Sequence, residues 1–155
     1  MPLSKYQKRR NFKKTPEPAG GKITKHKKAI FVVQEHHATH LHYDLRLEIN
    51  GVLASWAIPK GPSLNPSEKR LAVQTEDHPL EYAKFAGTIP EGEYGAGTVK
   101  IWDSGTWEMD GDSETAFKQG KIEFRLFGKK LHGTWVLIRF KNDPKNWLLK
   151  KTIKN

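Results

Sequence analysis

A histidine-rich segment, residues 36–48, carries the side chains best suited to chemistry in this sequence. Its order is HHATHLHYDLRLE, which places four of the seven histidines beside Asp44 and Arg46. His36, His42 and Asp44 offer two imidazoles and one carboxylate, a donor set that suits Mn²⁺, Zn²⁺ or Fe²⁺. Three protein ligands leave positions open for water or a phosphate oxygen, as a catalytic metal site requires. Arg46 adds a planar guanidinium that matches two phosphate oxygens.

The spacing of these residues indicates the element that positions them. Leu41–Ile49 alternates between polar and apolar residues, which predicts a half-buried strand. Residues 42, 44, 46 and 48 then share one face, and residues 41, 43, 45 and 47 point into the core. His36 reaches the polar face if the chain bends around residues 37–40. The alternative is an ordinary amphipathic strand, but solvated faces usually carry Thr, Lys and Glu.

Two further candidates lie outside this strand. His78 precedes Pro79 in a loop, where a lone histidine is usually structural, but Tyr82 follows one helical turn later. Lys60 is flanked by Pro59 and by a Gly-Pro pair that hold its backbone still, so it is a candidate phosphate contact. Residues 91–97 (EGEYGAG) are predicted to be a tight loop and not a Walker motif, because no Gly-Lys-Ser/Thr follows.

The rest of the chain predicts an all-β, mainly antiparallel fold. Short apolar runs alternate with turn signals about every ten residues, a pattern typical of a barrel or a sandwich. Asn50-Gly51 predicts a tight hairpin between Leu41–Ile49 and Val52–Ile58. We expect one compact β domain with one or two short helices. Further strands are expected at residues 29–34, 71–75, 98–103, 106–109, 121–127, 134–140 and 147–153. The strands at 98–103 and 106–109 are expected to pair across a turn at Ser104-Gly105. A helical turn is expected at 79–85 and a helix at 113–118.

Charge is concentrated at the two ends of the chain. The net charge is +10, and residues 1–28 hold ten Lys or Arg against Glu17 alone. We expect residues 1–28 to form a basic arm, partly ordered on a β domain of residues 29–155. Such arms suit a polyanion such as nucleic acid, which binds through phosphate contacts and counterion release. The alternative is a solubilising terminus, but Tyr6 and Phe12 are interleaved with the charge.

Composition excludes several other classes of protein. The chain has no cysteine, so disulfides and thiolate zinc sites are impossible and a cytoplasmic location is permitted. It has no apolar run of about 20 residues, as a membrane span needs, and no signal-peptide core. We therefore expect a cytoplasmic protein with no membrane partner.

Several motifs together resemble one known family, the 3′-phosphoesterase module of bacterial ATP-dependent DNA ligase D, in its stand-alone form. The resemblance extends from about Tyr6 to Ile153. It rests on His36 with the HYDLR run at residues 42–46, and on the motifs WAIPKGPS at 56–63, DHPLEY at 77–82, IPEGEYGAG at 89–97 and WLL at 147–149.

The resemblance implies a β-barrel that repairs 3′ ends before DNA is joined in double-strand break repair. Family members remove a 3′-terminal ribonucleoside as a diesterase and a 3′-phosphate as a monoesterase, usually with Mn²⁺; Co²⁺ or Zn²⁺ are alternatives. The implied partners are a DNA primer–template, a DNA ligase, a polymerase and a Ku-type end-binding protein. Asn11 stands where family members often have an acidic residue, so the monoesterase step is implied more fully than the diesterase step.

The resemblance also implies roles for individual residues. The metal ligands would be His36, His42 and Asp44, and Arg46 would bind the scissile phosphate. A protonated His78 would stabilise the transition state from the other side, assisted by Tyr82. Lys60 and Arg70 would lie near the phosphate or the substrate strand.

Two other functions remain open from the residues alone. One is a non-catalytic nucleic-acid-binding barrel that uses basic arms and exposed aromatic residues. The other is an iron oxygenase, because His42, Asp44 and a distal His78 spell a triad of two histidines and one carboxylate. That triad would leave His36 and Arg46 without a role.

Overall fold

The chain folds into a closed antiparallel barrel. The computed structural model describes residues 3–20 and 28–153. Nine strands pair in the order β1-β2-β3-β4-β9-β8-β7-β6-β5, and β1 also pairs with β6. That last pairing closes eight strands into a barrel and leaves β5 as a short addition to β6. The predicted all-β barrel is therefore confirmed. The strands are β1 (Ile30–His37), β2 (Leu41–Ile49), β3 (Val52–Ile58), β4 (Arg70–His78), β5 (Gly87–Ile89), β6 (Gly97–Glu108), β7 (Lys121–Gly128), β8 (His132–Arg139) and β9 (Asn146–Lys151).

Local sequence explains the hairpin between β2 and β3. Ile49 pairs with Val52, which leaves Asn50 and Gly51 as a two-residue turn. Both turn residues have positive φ, 48° and 82°, which asparagine and glycine tolerate best. The predicted hairpin is confirmed.

Alternation along β2 separates the core from the polar face. Leu45, Leu47 and Ile49 are buried in the main hydrophobic cluster, which also contains the indoles of Trp56 and Trp135. Leu41 differs from the prediction because it is 45% exposed at the open start of the strand. The apolar face of β2 therefore enters the core only after Leu41.

The hairpin expected at Ser104-Gly105 does not exist. Residues 97–108 form one twelve-residue strand, β6, which spans the predicted turn. Gly105 pairs with Gly128 of β7, and a Cβ added at Gly105 would lie 2.0 Å from the carbonyl oxygen of Phe127. Gly105 therefore permits a close approach of two backbones. In the sequence alone, a glycine with this role cannot be distinguished from a glycine in a turn.

Two short α-helices accompany the strands within the described residues. Helix α2 (Ser113–Gln119) confirms the helix predicted at 113–118, and its N-cap Asp112 accepts a hydrogen bond from the amide of Thr115 at 3.0 Å. Helix α1 (Ser4–Lys8) lies in the segment that was expected to form the basic arm. The helical turn predicted at 79–85 is present as a 3₁₀ turn, Leu80–Lys84. None of the helices in the described ranges is long and apolar enough to cross a membrane.

A second hydrophobic cluster lies on the outer surface of the barrel. Tyr6 of α1 and Tyr82 of the 3₁₀ turn pack with Leu53 of β3, Ile89 of β5 and Val99 of β6. Leu53 and the adjacent Ala54 belong to different clusters, because neighbouring residues in a strand point to opposite faces. The N-terminal segment and residues 79–97 are thus held over the outside of β1 to β4, where the polar side chains lie.

Candidate active site

The β1–β2 pairing brings the predicted metal ligands together. His36 of β1 lies directly opposite His42 of β2, and Gln34 lies opposite Asp44. Directly opposed residues of an antiparallel pair share a face, so His36 joins the polar face through strand pairing. The sequence placed His36 there by a bend around residues 37–40, because it ended the first strand at residue 34. Strand β1 in fact continues to His37.

Three donor atoms converge on one point. Nδ1 of His36 lies 3.5 Å from one oxygen of Asp44, and Nε2 of His42 lies 3.3 Å from the other. One ligand atom from each residue falls within 4.8 Å of the other two. In the parts of the chain that the structure describes, this is the one group of three or more His, Asp or Glu residues whose donor atoms lie close enough to share a metal ion.

Hydrogen bonds fix which nitrogen of each imidazole faces the centre. Nε2 of His36 donates to the carbonyl oxygen of Gly95 at 2.7 Å, and Nδ1 of His42 donates to that of His40 at 3.1 Å. The other nitrogen of each ring is then the one directed at Asp44. A carbonyl acceptor on the outer nitrogen is the usual support for a metal-bound histidine. The donor set fits a divalent cation of the kind predicted, without choosing among Mn²⁺, Fe²⁺, Co²⁺ and Zn²⁺.

Asp44 is a buried carboxylate that stays charged. Burial alone would raise its pKa, but the positive charge of Arg46 and hydrogen bonds with His36 and His42 hold the pKa well below its usual range. The same hydrogen bond to Asp44 has the opposite effect on His42: it raises the pKa of this imidazole, whereas burial acts to lower it. Asp44 is therefore an ionised carboxylate at neutral pH, which is the form that can act as a metal ligand.

Arg46 is fixed by three contacts. Its Nε donates to Oε1 of Gln34 at 2.7 Å, Nη1 lies 3.2 Å from Nδ1 of His78, and Nη2 lies 3.4 Å from Asp44. The amide of Gln34 in turn donates to the carbonyl of Tyr82 at 2.7 Å. The guanidinium is thereby held beside the metal-ligand group at an angle set by the strand pair and the 3₁₀ turn.

His78 lines the same cavity as the metal-ligand group and is buried between two arginines. It is 4% exposed, with Arg46 on one side and Nη2 of Arg10 at 3.5 Å from its Nε2 on the other. Burial, reinforced by the charge of Arg46, lowers the pKa of His78 well below its ordinary value. The imidazole of His78 is therefore neutral at neutral pH in the free protein.

Tyr82 supports the site from behind. Its hydroxyl donates to Glu17 at 2.7 Å, its ring lies 4.6 Å from the His78 ring, and the Arg46 guanidinium lies over it at 4.9 Å. Burial raises the pKa of Tyr82, so the phenol remains a donor at neutral pH. Its side chain is placed to position Arg46 and His78.

The N-terminal segment supplies one wall of the site, which the sequence did not predict. Arg10 pairs with Glu17 at 3.1 Å and with Glu76 of β4 at 2.7 Å, and the side chains of all three are nearly fully buried. Arg10 also lies over the ring of Tyr6 at 4.4 Å. A buried arginine between two carboxylates satisfies all three charges only if the segment docks in one place. The sequence signal was Glu17, the single acidic residue in a basic arm.

These groups line a cavity of about 170 Å³. It contains His36, His42, Asp44, Arg46, His78 and Tyr82, so six of the eight predicted site residues come together. Lys60 is exposed and Arg70 donates to the carbonyl of Gly61 at 3.1 Å, and neither lines the cavity.

Asn11 is exposed in a turn, where its side chain accepts a bond from the amide of Lys13. His78 is absent from the metal-ligand group, so the particular triad of His42, Asp44 and His78 that the oxygenase interpretation used does not form.

Comparison with known proteins gives a consistent picture. Residues 34–139 match the family model described as the DNA Ligase D 3′-phosphoesterase domain. The multifunctional non-homologous end joining protein LigD of Pseudomonas aeruginosa is 49% identical over 154 residues, covering 97% of this chain and 18% of that protein. LigD of Mycolicibacterium smegmatis is 47% identical, covering 94% and 20%. LigD of Mycobacterium tuberculosis is 48% identical, covering 94% and 19%. The chain thus spans about a fifth of the length of these relatives.

Proposed function

Because the chain belongs to the DNA Ligase D 3′-phosphoesterase domain family, we propose that it is a metal-dependent phosphoesterase acting on the 3′ ends of DNA. The observation that carries this proposal is the convergence of His36, His42 and Asp44 beside the fixed guanidinium of Arg46. The relatives are named for non-homologous end joining, so the proposed role is the repair of blocked ends before ligation.

The proposed cofactor is Mn²⁺, with Co²⁺ or Zn²⁺ as alternatives, held by His36, His42 and Asp44. A divalent ion there supplies Lewis-acid polarisation of a phosphate oxygen and lowers the pKa of bound water to about 7. Asp44 and the two imidazoles fix its place, and Asp44 stays ionised because Arg46 is adjacent.

Arg46 and His78 are proposed to bind the scissile phosphate from the side opposite the ligands. Arg46 offers nitrogens whose direction is already set by Gln34, so little reorganisation is needed as charge develops. His78 is neutral in the free protein, and a phosphate dianion in the cavity favours its protonated form because opposite charge raises a histidine pKa. Tyr82 holds both side chains in position through its ring.

Two activities are proposed for the same centre. Removal of a 3′-phosphate needs only the cavity groups already described. Removal of a 3′-terminal ribonucleoside needs room for a sugar and base beyond the phosphate. Asn11 does not line the cavity, so its departure from the family pattern is proposed to affect the ribonucleoside step alone. Lys60 and Arg70 remain proposed substrate contacts, and a ligase, a polymerase and a Ku-type protein remain proposed partners.

A 3′-end-processing assay tests the proposal directly. A 5′-labelled primer ending in a 3′-phosphate or in one ribonucleotide is annealed to a template and incubated with Mn²⁺ or with chelator, and the products are resolved by length and charge. We expect conversion to a 3′-hydroxyl end with Mn²⁺ and none with chelator. His42→Ala should lower turnover at least about 100-fold, because one of the three metal donors is lost.

His132→Ala is the matched control, since His132 is exposed on β8 and lies outside the cavity. Near-wild-type turnover of His42→Ala would show that the site assignment is wrong. Tight, salt-sensitive binding with an unchanged 3′ end would support a non-catalytic binding barrel instead. Turnover that needs oxygen, Fe²⁺ and an oxo-acid would support the oxygenase.

A further inference from the structure

A second depression lies beside the candidate active site. It has a volume of about 390 Å³ and is open to solvent. Thr75, Glu76 and Tyr94 line both this groove and the smaller cavity, so the two are adjacent and share these residues as a common wall. The opposite side of the groove is formed by α1 and by the loop between β8 and β9. We call this depression the basic groove.

The basic groove carries an excess of positive charge. Its lining includes Lys5 and Arg9 from the N-terminal segment and Lys145 from the β8–β9 loop. Glu76 is its one acidic lining residue, and Glu76 is already paired with Arg9 at 3.0 Å and with Arg10 at 2.7 Å. Lys5 and Lys145 are both exposed, so their ammonium groups face the solvent-filled groove.

The size of the catalytic cavity makes an exit for the substrate necessary. At about 170 Å³ the cavity is smaller than the pockets that enclose drug-sized ligands, so it accommodates a phosphate and only part of a nucleoside. A polymer whose end occupies it must leave over the rim. Tyr94 forms that rim on the side of the basic groove, where it is 46% exposed and accepts a hydrogen bond from Arg9 at 2.8 Å.

We propose that the basic groove binds the phosphodiester backbone of the same strand whose 3′ end occupies the active site. This inference rests on the proposed function and adds the path of the substrate to it. Lys5 and Lys145 are point charges on flexible stems, which bind phosphates regardless of base sequence. Arg9 sits at the junction, where it connects the groove to the buried Arg10–Glu76 pair.

Binding in chelator tests the path without using catalysis. Lys5→Gln/Lys145→Gln is compared with Lys118→Gln/Lys129→Gln, which makes the same charge change at exposed positions outside both depressions. Fluorescence anisotropy is measured over a salt series with single-stranded DNA that ends in a 3′-phosphate. Two lengths are compared, a short strand of about 3 nucleotides and a long strand of about 12 nucleotides. Thermal melts confirm that both variants are folded.

For the long strand, we expect the groove variant to weaken binding about 10-fold at about 0.1 M salt and to reduce the salt slope by about 1.4, because each lost phosphate contact contributes about 0.7. Binding of the short strand and of the control variant should not change. An equal loss in the control variant, or no loss in the groove variant, would overturn the proposal. The binding result does not depend on turnover, so an inactive protein with an intact path would contradict the proposed function alone.

Discussion

At the scale of single residues, Arg46 shows why charge alone does not define this site. Its guanidinium contacts Gln34, Asp44 and His78 in three directions, and it is 4% exposed. A lysine keeps the positive charge but has one nitrogen and no fork. Replacement therefore leaves the Gln34 oxygen without its buried donor, and it removes the directed contacts proposed for the phosphate.

We predict that Arg46→Lys lowers kcat/KM on a 3′-phosphate primer about 100-fold, the usual cost of losing one preorganised donor. Steady-state kinetics with Mn²⁺ measure the effect, and Arg125→Lys is the control, because Arg125 pairs with Glu108 on the surface. Activity within about threefold of wild type would mean that only the charge of Arg46 matters.

Asp77 gives the fold a dependence on pH. Burial raises the pKa of its carboxyl to about 6, and the charge of Lys5 offsets this only in part. Between the ordinary aspartate pKa and about 6, the folded protein binds more protons than the unfolded chain. The stability linked to Asp77 is therefore complete below the unfolded pKa and is lost as pH rises through about 6.

We predict that Asp77→Asn stabilises the protein at pH 7 and has little effect near pH 3.5. A pKa displaced that far corresponds to about 3 kcal/mol, and partial exposure reduces this to on the order of 1 kcal/mol. Urea unfolding at both pH values measures the difference. Asp110→Asn, at a 94% exposed side chain, is the control and should show no such pH-dependent gain. An equal gain at both pH values would contradict the ionisation argument.

At the scale of elements, the end of β1 depends on a glycine of β6. Gly97 has φ of 137°, and a Cβ there would lie 2.1 Å from the carbonyl oxygen of His37. This contact joins the strand that carries His36 to the strand that follows the 90–96 loop. The same loop supplies the Gly95 carbonyl that orients the His36 ring.

Gly97→Ala should therefore destabilise the fold by about 2 kcal/mol or more and weaken Mn²⁺ binding, because backbone must move at the His36 end of β1. Gly92→Ala is the matched control, since Gly92 also has positive φ but has no atom within 4 Å of the added Cβ. It should lose only about 1 kcal/mol, the backbone cost alone. Chemical denaturation and metal titration measure both effects, and equal losses in the two variants would contradict the steric explanation.

At the scale of the whole molecule, we expect the proposed metal site to couple to global stability. The ligands come from two strands that lie side by side in the closed barrel, and the second cluster fixes the outer segments over them. Unfolding separates His36 from His42 and Asp44, so a cation that binds the folded site favours the folded state by mass action.

We predict that Mn²⁺ at 100 times its Kd stabilises the protein by about 2.7 kcal/mol, seen as a rise in Tm. Asp44→Asn should abolish the rise, whereas Asp103→Asn should lower the Tm and keep the metal-induced rise. Asp103 is a buried carboxylate on β6 that accepts bonds from the amides of residues 129–131, outside the metal-ligand group. A metal-induced rise that persists in Asp44→Asn would place the bound ion elsewhere.

The sequence by itself determined the parts that depend on local pattern. Alternation along Leu41–Ile49 fixed the shared face of His42, Asp44 and Arg46, and Asn50-Gly51 fixed the turn that follows them. The motifs between His36 and Trp147 also identified the family, because their order is preserved along the chain. These features need only neighbours in sequence, where side-chain period and turn geometry are decisive.

Only the tertiary structure decided which distant groups meet. Strand pairing, and not a bend, set His36 against His42, and the contact of β6 with β7 turned a predicted hairpin into one strand. Docking of the N-terminal segment placed Arg10 3.5 Å from His78, and burial together with the charge of Arg46 lowers the pKa of this histidine. Burial and the charges of remote residues control these properties, and neither is encoded in the spacing of residues along one strand.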